Sequence, residues 1–524
     1  MIAPLAVAHV VETLGLLLVA TAASFSLLGG NARLRSIGSL AVLVLAPAVL
    51  AGSVIGDNES SLPQYSPALL AAGAVLGLAA VGCVAAIFTR WPSLVLPVAL
   101  ATVAFRVPIP IGGESVKLLL PLYVAIAAAV LARGWRDWRG VGGEHPRPAK
   151  LLDVAIAAFI VLYALQSAYS SDVNVATQNL CFFYAPFVLL YSLAADVKWN
   201  ARLLRTCLAT LVGVALLLVF VGFIEFARGE YLVRPGGIRP NDFDPYFRVQ
   251  SLFFDPNIFG RFVAVVMLVV AAVMLFTRRT ARVLLCALVL ALLWAGLVLS
   301  LSQSSFAALL AGLIALACMR WRAKPILVAT AVALVAGVVF VGAFPSVSGI
   351  DITSERGAET STSGRFDLVT GGLELWGDRP IVGHGSGSFA DQFSNRRLAG
   401  ESAFGRPTTT KSHTAPLTVA AEQGVVGLIA FLAMIYAAFA AVFRRVGRED
   451  ERPGVVARIA VAAAFVAIFV HSLAYAALLE DPLMWTMLGA AVSLALIPRA
   501  NGGVTDDQRS ERIESIPDVA EAPA

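Results

Sequence analysis

KSHTAPLTVAAEQGVVGLIAFLAMIYAAFAAVFRR, residues 411–445, decides what kind of molecule this is. Between Pro416 and Phe443 the only charged side chain is Glu422, and the run stops on Arg444 and Arg445. About 20 such residues in a helix cross a hydrocarbon core of about 30 Å, so this run is long enough to span a membrane. It opens on Lys411, Ser412 and His413, however. A titratable imidazole where an apolar helix begins asks for an explanation.

The rest of the chain repeats the pattern. Of 524 residues, 58% are hydrophobic and 14% charged, more apolar surface than a soluble domain can cover. Runs of spanning length recur from 8–30 through 483–498. The expectation is an all-α polytopic membrane protein with about 12–15 transmembrane helices. They form one bundle over 1–500, followed by a polar, disordered tail at 501–524. The run 93–110 is the weakest, because Arg106, Pro108 and Pro110 interrupt it; it reads as a broken or re-entrant segment. Cys83, Cys181, Cys207, Cys286 and Cys318 fall in apolar runs without metal-ligand spacing and read as buried small hydrophobes. The first run lacks the charged n-region of a secretory signal and reads as an ordinary helix.

Basic residues orient the bundle. Arg33/Arg35, Arg90, the loop 133–150, Lys198/Arg202/Arg205, Arg278/Arg279/Arg282, Arg320/Arg322/Lys324 and Arg444/Arg445/Arg448/Arg452 occupy alternate connections. The positive-inside rule places these loops and the tail in the cytoplasm. Two long connections, 228–256 and 345–415, and the short ALLEDP (477–482) then face outward.

Against that rule, the outward loops are rich in arginine. The first holds Arg228, Arg234, Arg239 and Arg248, with Arg261 just inside the next helix. The second holds Arg356, Arg365, Arg379, Arg396, Arg397, Arg406 and Lys411. Arginines set against the topological bias suit planar, bidentate binding of phosphate or carboxylate, here a lipid headgroup between helices. The first loop ends in RVQSLFFDPNIFGRF (248–262), where Asp255-Pro256-Asn257 reads as a helix start. In the second, Phe366, Val369, Leu373 and Trp376 recur at spacings of three and four, which predicts a short amphipathic helix on the membrane face. GHGSGSF (383–389) is a glycine-rich turn without the Lys-Ser/Thr of a phosphate-binding P-loop.

In this order the motifs resemble the O-antigen ligase and polysaccharide polymerase superfamily of bacterial membrane glycosyltransferases. The resemblance rests on Arg248 with FFDPNIFG (253–260), on the Arg-rich segment from Arg365 to the G-x-G turn at Gly387, and on HTAPLTVAAEQGVVG (413–427). It implies transfer of a glycan from an undecaprenyl-diphosphate-linked donor to an acceptor hydroxyl, on a glycan or a lipid, at the outer face of the bacterial plasma membrane. It further implies His413 as general base, without metal or cofactor. Arg248, Arg365, Arg261 and Arg379 would bind the donor diphosphate, with His384, Glu422, Glu480 and Asp481 in support. One departure stands out: family members often carry a Ser-Arg pair where this chain has LSLSQSSF (299–306). Another arginine, such as Arg261, takes that role, or the donor is held differently.

The other histidines read differently. His145 is solvated in a basic loop, and His9 and His471 are interior histidines of apolar helices. Two rival functions are open. NDFD (241–244) would suit a metal-dependent glycosyltransferase using polyprenyl-monophosphate sugars. A transporter or flippase for lipid-linked sugars would carry charge near the bilayer midplane and show related halves, and no internal repeat is visible. No nucleic-acid partner is expected.

Overall fold

The computed structural model describes residues 2–56, 67–111, 114–141, 150–233, 247–343, 365–398, 412, 414–444, 446, 452–475 and 477–497. The chain is almost entirely helical. Its first half runs through α1 (Ile2–Leu28), α2 (Ala32–Gly56), α3 (Pro67–Arg90), α4 (Val95–Thr102), α5 (Leu120–Trp138), α6 (Lys150–Gln166), α7 (Val173–Gln178), α8 (Ala185–Ala195) and α9 (Ala201–Arg228). The second half adds α10 (Pro256–Leu275), α11 (Thr280–Ser300), α12 (Gln303–Arg320), α13 (Ala323–Ala343), α14 (Arg365–Asp378), α15 (Phe389–Leu398), α16 (Ala415–Phe443), α17 (Pro453–Ser472) and α18 (Pro482–Leu494). Eleven helical spans among the described residues are long and apolar enough to cross a membrane, with α7 and α8 joined by a π-helical turn into one of them. The protein is a multi-pass membrane protein.

Local sequence explains where the helices start. Asn200, Asp255, Ser302 and Asp481 each turn a side-chain oxygen onto backbone N–H groups of the first turn that follows. Proline opens α10, α16, α17 and α18, where its missing N–H costs nothing. Gly229, in the left-handed region, closes α9.

The interrupted run 93–110 is not a spanning helix. It is α4 followed by strand β1 (Val107–Ile111), which pairs antiparallel with β2 (Glu114–Leu118) in register Val107↔Leu118. Pro108 and Pro110 alternate along β1, so the donors they lack fall on one edge of a two-stranded ribbon. This hairpin is the one departure from an all-α chain among the described residues, and it delays the start of α5 to Leu120.

Helices α8, α10, α17 and α18 form the centre. Phe259, Phe262, Val263 and Leu268 of α10 are fully covered, as are Ile459 and Phe465 of α17 and Trp485 of α18. Glycines permit the close approaches: a Cβ on Gly489 would stand 2.5 Å from the Tyr191 carbonyl oxygen, and one on Gly312 would overlap Leu268. At the periphery, α3 and α11 turn Leu76, Leu78, Leu284 and Leu288 outward, an apolar exterior that suits lipid.

Candidate active site

Two constructions meet at the end of the bundle opposite the basic connections. The first is built by the start of α10 and the turn between α11 and α12. Asp255 accepts from the N–H groups of Asn257 (2.7 Å) and Ile258 (3.2 Å), and its other oxygen accepts from the Tyr475 hydroxyl at 2.6 Å. Asn257 Oδ1 accepts from Arg248 Nη2 at 3.0 Å and from Ser302 Oγ at 2.9 Å. Arg248 Nε donates to the Ser300 carbonyl at 3.1 Å, so its guanidinium is fixed to both turns. Ser302, Ser304 and Ser305 continue the network, and Ser304 Oγ lies 3.1 Å from His471 Nε2. Gly260 makes this junction possible: a Cβ there would lie 2.7 Å from Ser305 Oγ and 2.8 Å from Ser300 Oγ.

Backbone strain marks the same place. Among the described residues, the non-glycine residues with left-handed φ are Ser251 (50°), Phe254 (57°) and Leu301 (47°), and all three lie in these turns. Left-handed backbone is costly for such side chains and concentrates at ligand-binding and catalytic sites. Next to the turns, Arg261 is buried and pairs with Asp481 at 2.9 Å, while its Nη1 donates to the Ala477 carbonyl at 3.2 Å. Asp481 also caps α18 through the Leu483 N–H.

A further guanidinium arrives from the N-terminal half. Arg106, between α4 and β1, faces Phe253 with its guanidinium carbon 5.9 Å from the ring centre. It lies within the field of Arg261, which repels it, and of Asp255 and Asp481, which attract it, so it shares their site. Sequence reasoning counted Arg106 as an interruption and assigned it no role. An ionisable residue inside an apolar run was the available signal.

The second construction joins the glycine turn to α16. Helix α16 breaks at Gly424 (φ 64°, ψ −164°), and the segment 380–385 pairs with 421–426 through the broken turn. Val425 N–H reaches the Pro380 carbonyl at 2.8 Å, Gly385 N–H reaches that of Glu422 at 2.7 Å, and His384 N–H reaches that of Ala421 at 3.1 Å. Gly383, Gly385 and Gly387 all have left-handed φ, and a Cβ on any of them would run into backbone of Glu422, Ser170 or Ala176. The Glu422 carboxylate grips the far side of the turn, accepting from the N–H groups of Gly387 (2.9 Å) and Phe389 (3.4 Å). These N–H groups are committed to protein acceptors, so the turn is a structural clasp and not an anion cradle. His384 Nε2 donates to the Leu375 carbonyl at 3.0 Å and anchors α14.

Helix α14 occupies the predicted segment but buries a different stripe. Leu368 and Leu375 pack with Phe389, Phe393 and Ala421, whereas Leu373 is half exposed and Val369 and Trp376 are partly covered. Arg365 opens α14 with its side chain outside the described residues, and Arg379 is exposed next to the clasp. Arg396 pairs with Glu374 and Asp378 at the surface. Glu480 lines a cavity of about 30 Å³ with Tyr163, Tyr184, Thr418 and Glu422, room for one water molecule.

His413 lies outside the described residues, as do Lys411, NDFD (241–244), His145 and the tail. Its neighbours are placed. Ser412 Oγ lies 2.9 Å from Thr418 Oγ1, and Thr414 Oγ1 donates to the Leu473 carbonyl at 3.0 Å. Leu473 stands two residues from both His471 and Tyr475, so the entry of α16 adjoins the Asp255 network. Residues 288–432, from α11 into α16, match the family model for O-antigen ligase. The chain carries this O-antigen ligase match over 145 of its 524 residues. No curated protein matches it. The matched span contains the serine turn, the clasp and His413, while Arg106, Arg248, Arg261 and Asp481 stand outside it. Glycan transfer of the ligase or polymerase type is the activity that this O-antigen ligase match supports.

Proposed function

We propose that the chain transfers a glycan from an undecaprenyl-diphosphate-linked donor to an acceptor hydroxyl at the outer face of a bacterial plasma membrane. One observation carries the reading: Arg248, Arg261 and Arg106 converge on the strained turns at the start of α10, beside the entry to α16. In the reaction the acceptor oxygen forms a bond to the anomeric carbon as the bond from that carbon to the diphosphate oxygen breaks. His413 takes the hydroxyl proton, and the diphosphate leaves as an anion held by arginine. Arg248 and Arg261, with Arg365 and Arg379 from the second loop, are the proposed ligands for that charge. Attack opposite the leaving group inverts the anomeric centre. Asp481 holds Arg261, and the Glu422 clasp and His384 hold the second loop in place.

The purified protein, given a lipid-diphosphate glycan and an acceptor, is expected to release lipid diphosphate in step with glycan joined. Movement of the lipid across a bilayer without its consumption would instead make the protein a flippase. Transfer is expected to survive chelation of divalent cations, whereas abolition by a chelator would favour the metal-dependent reading of NDFD.

The clasp gives a second expectation. Glu422→Ala leaves the N–H groups of Gly387 and Phe389 without their acceptor, and a hydrogen bond to a charged group contributes roughly 1.5–3 kcal/mol. Limited proteolysis is therefore expected to cut faster within 383–398, with lower transfer activity. Glu422→Gln, which keeps one acceptor oxygen, is expected to recover part of both. Wild-type cleavage in the alanine variant would show that the clasp does not order the loop.

A further inference from the structure

Among the described residues, one charge at this site has no ion-pair partner. Arg106 is partly buried, and its Nε is covered by protein and has no hydrogen-bond partner among the described residues. No described carboxylate forms an ion pair with it. The carboxylates nearby are already engaged. Asp481 is bound to Arg261 and to the start of α18, and Asp255 is bound to the start of α10 and to the Tyr475 hydroxyl. Among the described residues, Arg106, Arg248 and Arg261 thus share the site with the carboxylates of Asp255 and Asp481.

A buried cation without a counter-charge is expensive, and arginine cannot escape the expense by losing its proton. The local sequence shows no device for removing Arg106 to water. Two prolines follow it within four residues, and β1 begins at the very next position, so the backbone on its C-terminal side is held in the hairpin. Its guanidinium carbon stands 5.9 Å from the Phe253 ring centre, at the edge of the range over which an aromatic face attracts a cation. Phe253 itself belongs to the turn between the strained residues Ser251 and Phe254. The chain therefore places a planar cation that no described carboxylate pairs with against a strained turn, within the field of a second arginine that repels it. Such an arrangement is relieved by an anion that can face two guanidinium groups at once, and phosphate does this bidentately.

We propose that Arg106, delivered by the broken α4–β1 segment, is a phosphate ligand of the donor site and completes it together with Arg261. The assignment rests on the glycan-transfer reading above and names the ligand as the diphosphate of the lipid-linked donor. It makes the N-terminal half of the bundle part of the binding machinery, because α4 and the hairpin position Arg106 from outside the matched span 288–432. The role is one of binding: Arg106 touches the leaving group and takes no proton.

The test compares purified full-length wild type with Arg106→Ala and Arg106→Gln in lipid nanodiscs. Undecaprenyl diphosphate, undecaprenyl monophosphate and inorganic pyrophosphate serve as probes, with binding and thermal unfolding measured for each. Undecaprenyl diphosphate is expected to bind wild type and raise its unfolding temperature. Arg106→Ala is expected to weaken that binding about 10- to 100-fold, losing most of the ligand-induced shift, while the ligand-free protein unfolds no earlier than wild type. That last result separates the proposal from a structural role, since a residue that merely holds the fold would lower ligand-free stability. Arg106→Gln keeps a polar, hydrogen-bonding side chain without the charge, and the same loss of binding is expected where the alanine variant does not fold. Pyrophosphate binding equal to that of undecaprenyl diphosphate would locate recognition in the diphosphate alone, and stronger lipid binding would add the membrane-embedded chain; a loss for either in both variants supports the proposal. Wild-type affinity in both variants would overturn the role of Arg106 and leave glycan transfer standing. Failure of wild type to bind or turn over any lipid diphosphate would overturn both.

Discussion

His413→Ala is expected to lower glycan transfer by about 100- to 10,000-fold, the range typical of losing a positioned general base. A sugar hydroxyl is a poor nucleophile, and an imidazole that accepts its proton in the transition state speeds attack without needing a metal. The loss should fall on kcat. Binding of undecaprenyl diphosphate should persist, because the donor charge is held by arginines on other elements. The described neighbours of His413 support this separation. Ser412 is tied to Thr418 within the same entry turn, and Thr414 is tied to Leu473 at the end of α17, so the turn has its own anchors independent of the histidine side chain. The variant should therefore fold and unfold at the wild-type temperature. Single-turnover transfer measured alongside donor binding decides the matter. Transfer within a few-fold of wild type would remove His413 from the chemistry, and an equal loss of donor binding would move it to the diphosphate site.

Much of the fold was legible because a bilayer allows so few solutions. Backbone polar groups in hydrocarbon must be satisfied within the segment, so an apolar run of sufficient length becomes a helix almost regardless of its detail. Each long run from 8–30 to 483–498 is met by a helix or a pair of helices in the same order. The exception, 93–110, shows the limit. Arg106, Pro108 and Pro110 revealed that the helix fails there, but the strand that replaces it needs β2 as partner, and the alternation of Val116 and Leu118 with Ser115 and Lys117 is too short to announce it. Helix α14 was legible as a helix and misread in its orientation. Two apolar stripes run along it, and only the position of Phe389 and Phe393 selects Leu368 and Leu375 as the buried one.

The site was legible in parts. Asp255 was read as a helix cap and is one, but its second oxygen meets Tyr475 from a segment far along the chain. Glu422 stood out as the only charge in its run, yet nothing local could show that its partners are the N–H groups of the glycine turn. Arg261 and Asp481 were both singled out, and their pairing depends on how α10 meets α18. In each case the residue type was visible and the partner was not, because the partner comes from tertiary packing.

Arg248 is where local and tertiary information agree most closely, and its replacement is the second large effect. Arg248→Ala is expected to reduce kcat/KM about 100- to 1,000-fold, as removal of one preorganised donor to a developing anion does elsewhere. Preorganisation is visible in the geometry. Nε is fixed by the Ser300 carbonyl at 3.1 Å and Nη2 by Asn257 at 3.0 Å, so the guanidinium plane is set before donor arrives. Arg248→Lys is expected to recover little, since a flexible ammonium does not reproduce the planar fork that joins both turns and a phosphate. A structural contribution must be separated from this. Losing the bonds to Ser300 and Asn257 costs roughly 1–3 kcal/mol of stability, and Asn257→Ala loses the Nη2 bond while keeping the cation. Asn257→Ala should therefore show a share of the destabilisation with a much smaller loss of transfer. Unfolding temperature and kcat/KM measured across Arg248→Ala, Arg248→Lys and Asn257→Ala distinguish the outcomes. Equal activity losses in Arg248→Ala and Asn257→Ala would reduce Arg248 to a strut between the turns, whereas near-complete rescue by lysine would show that a point charge suffices and that bidentate recognition is wrong.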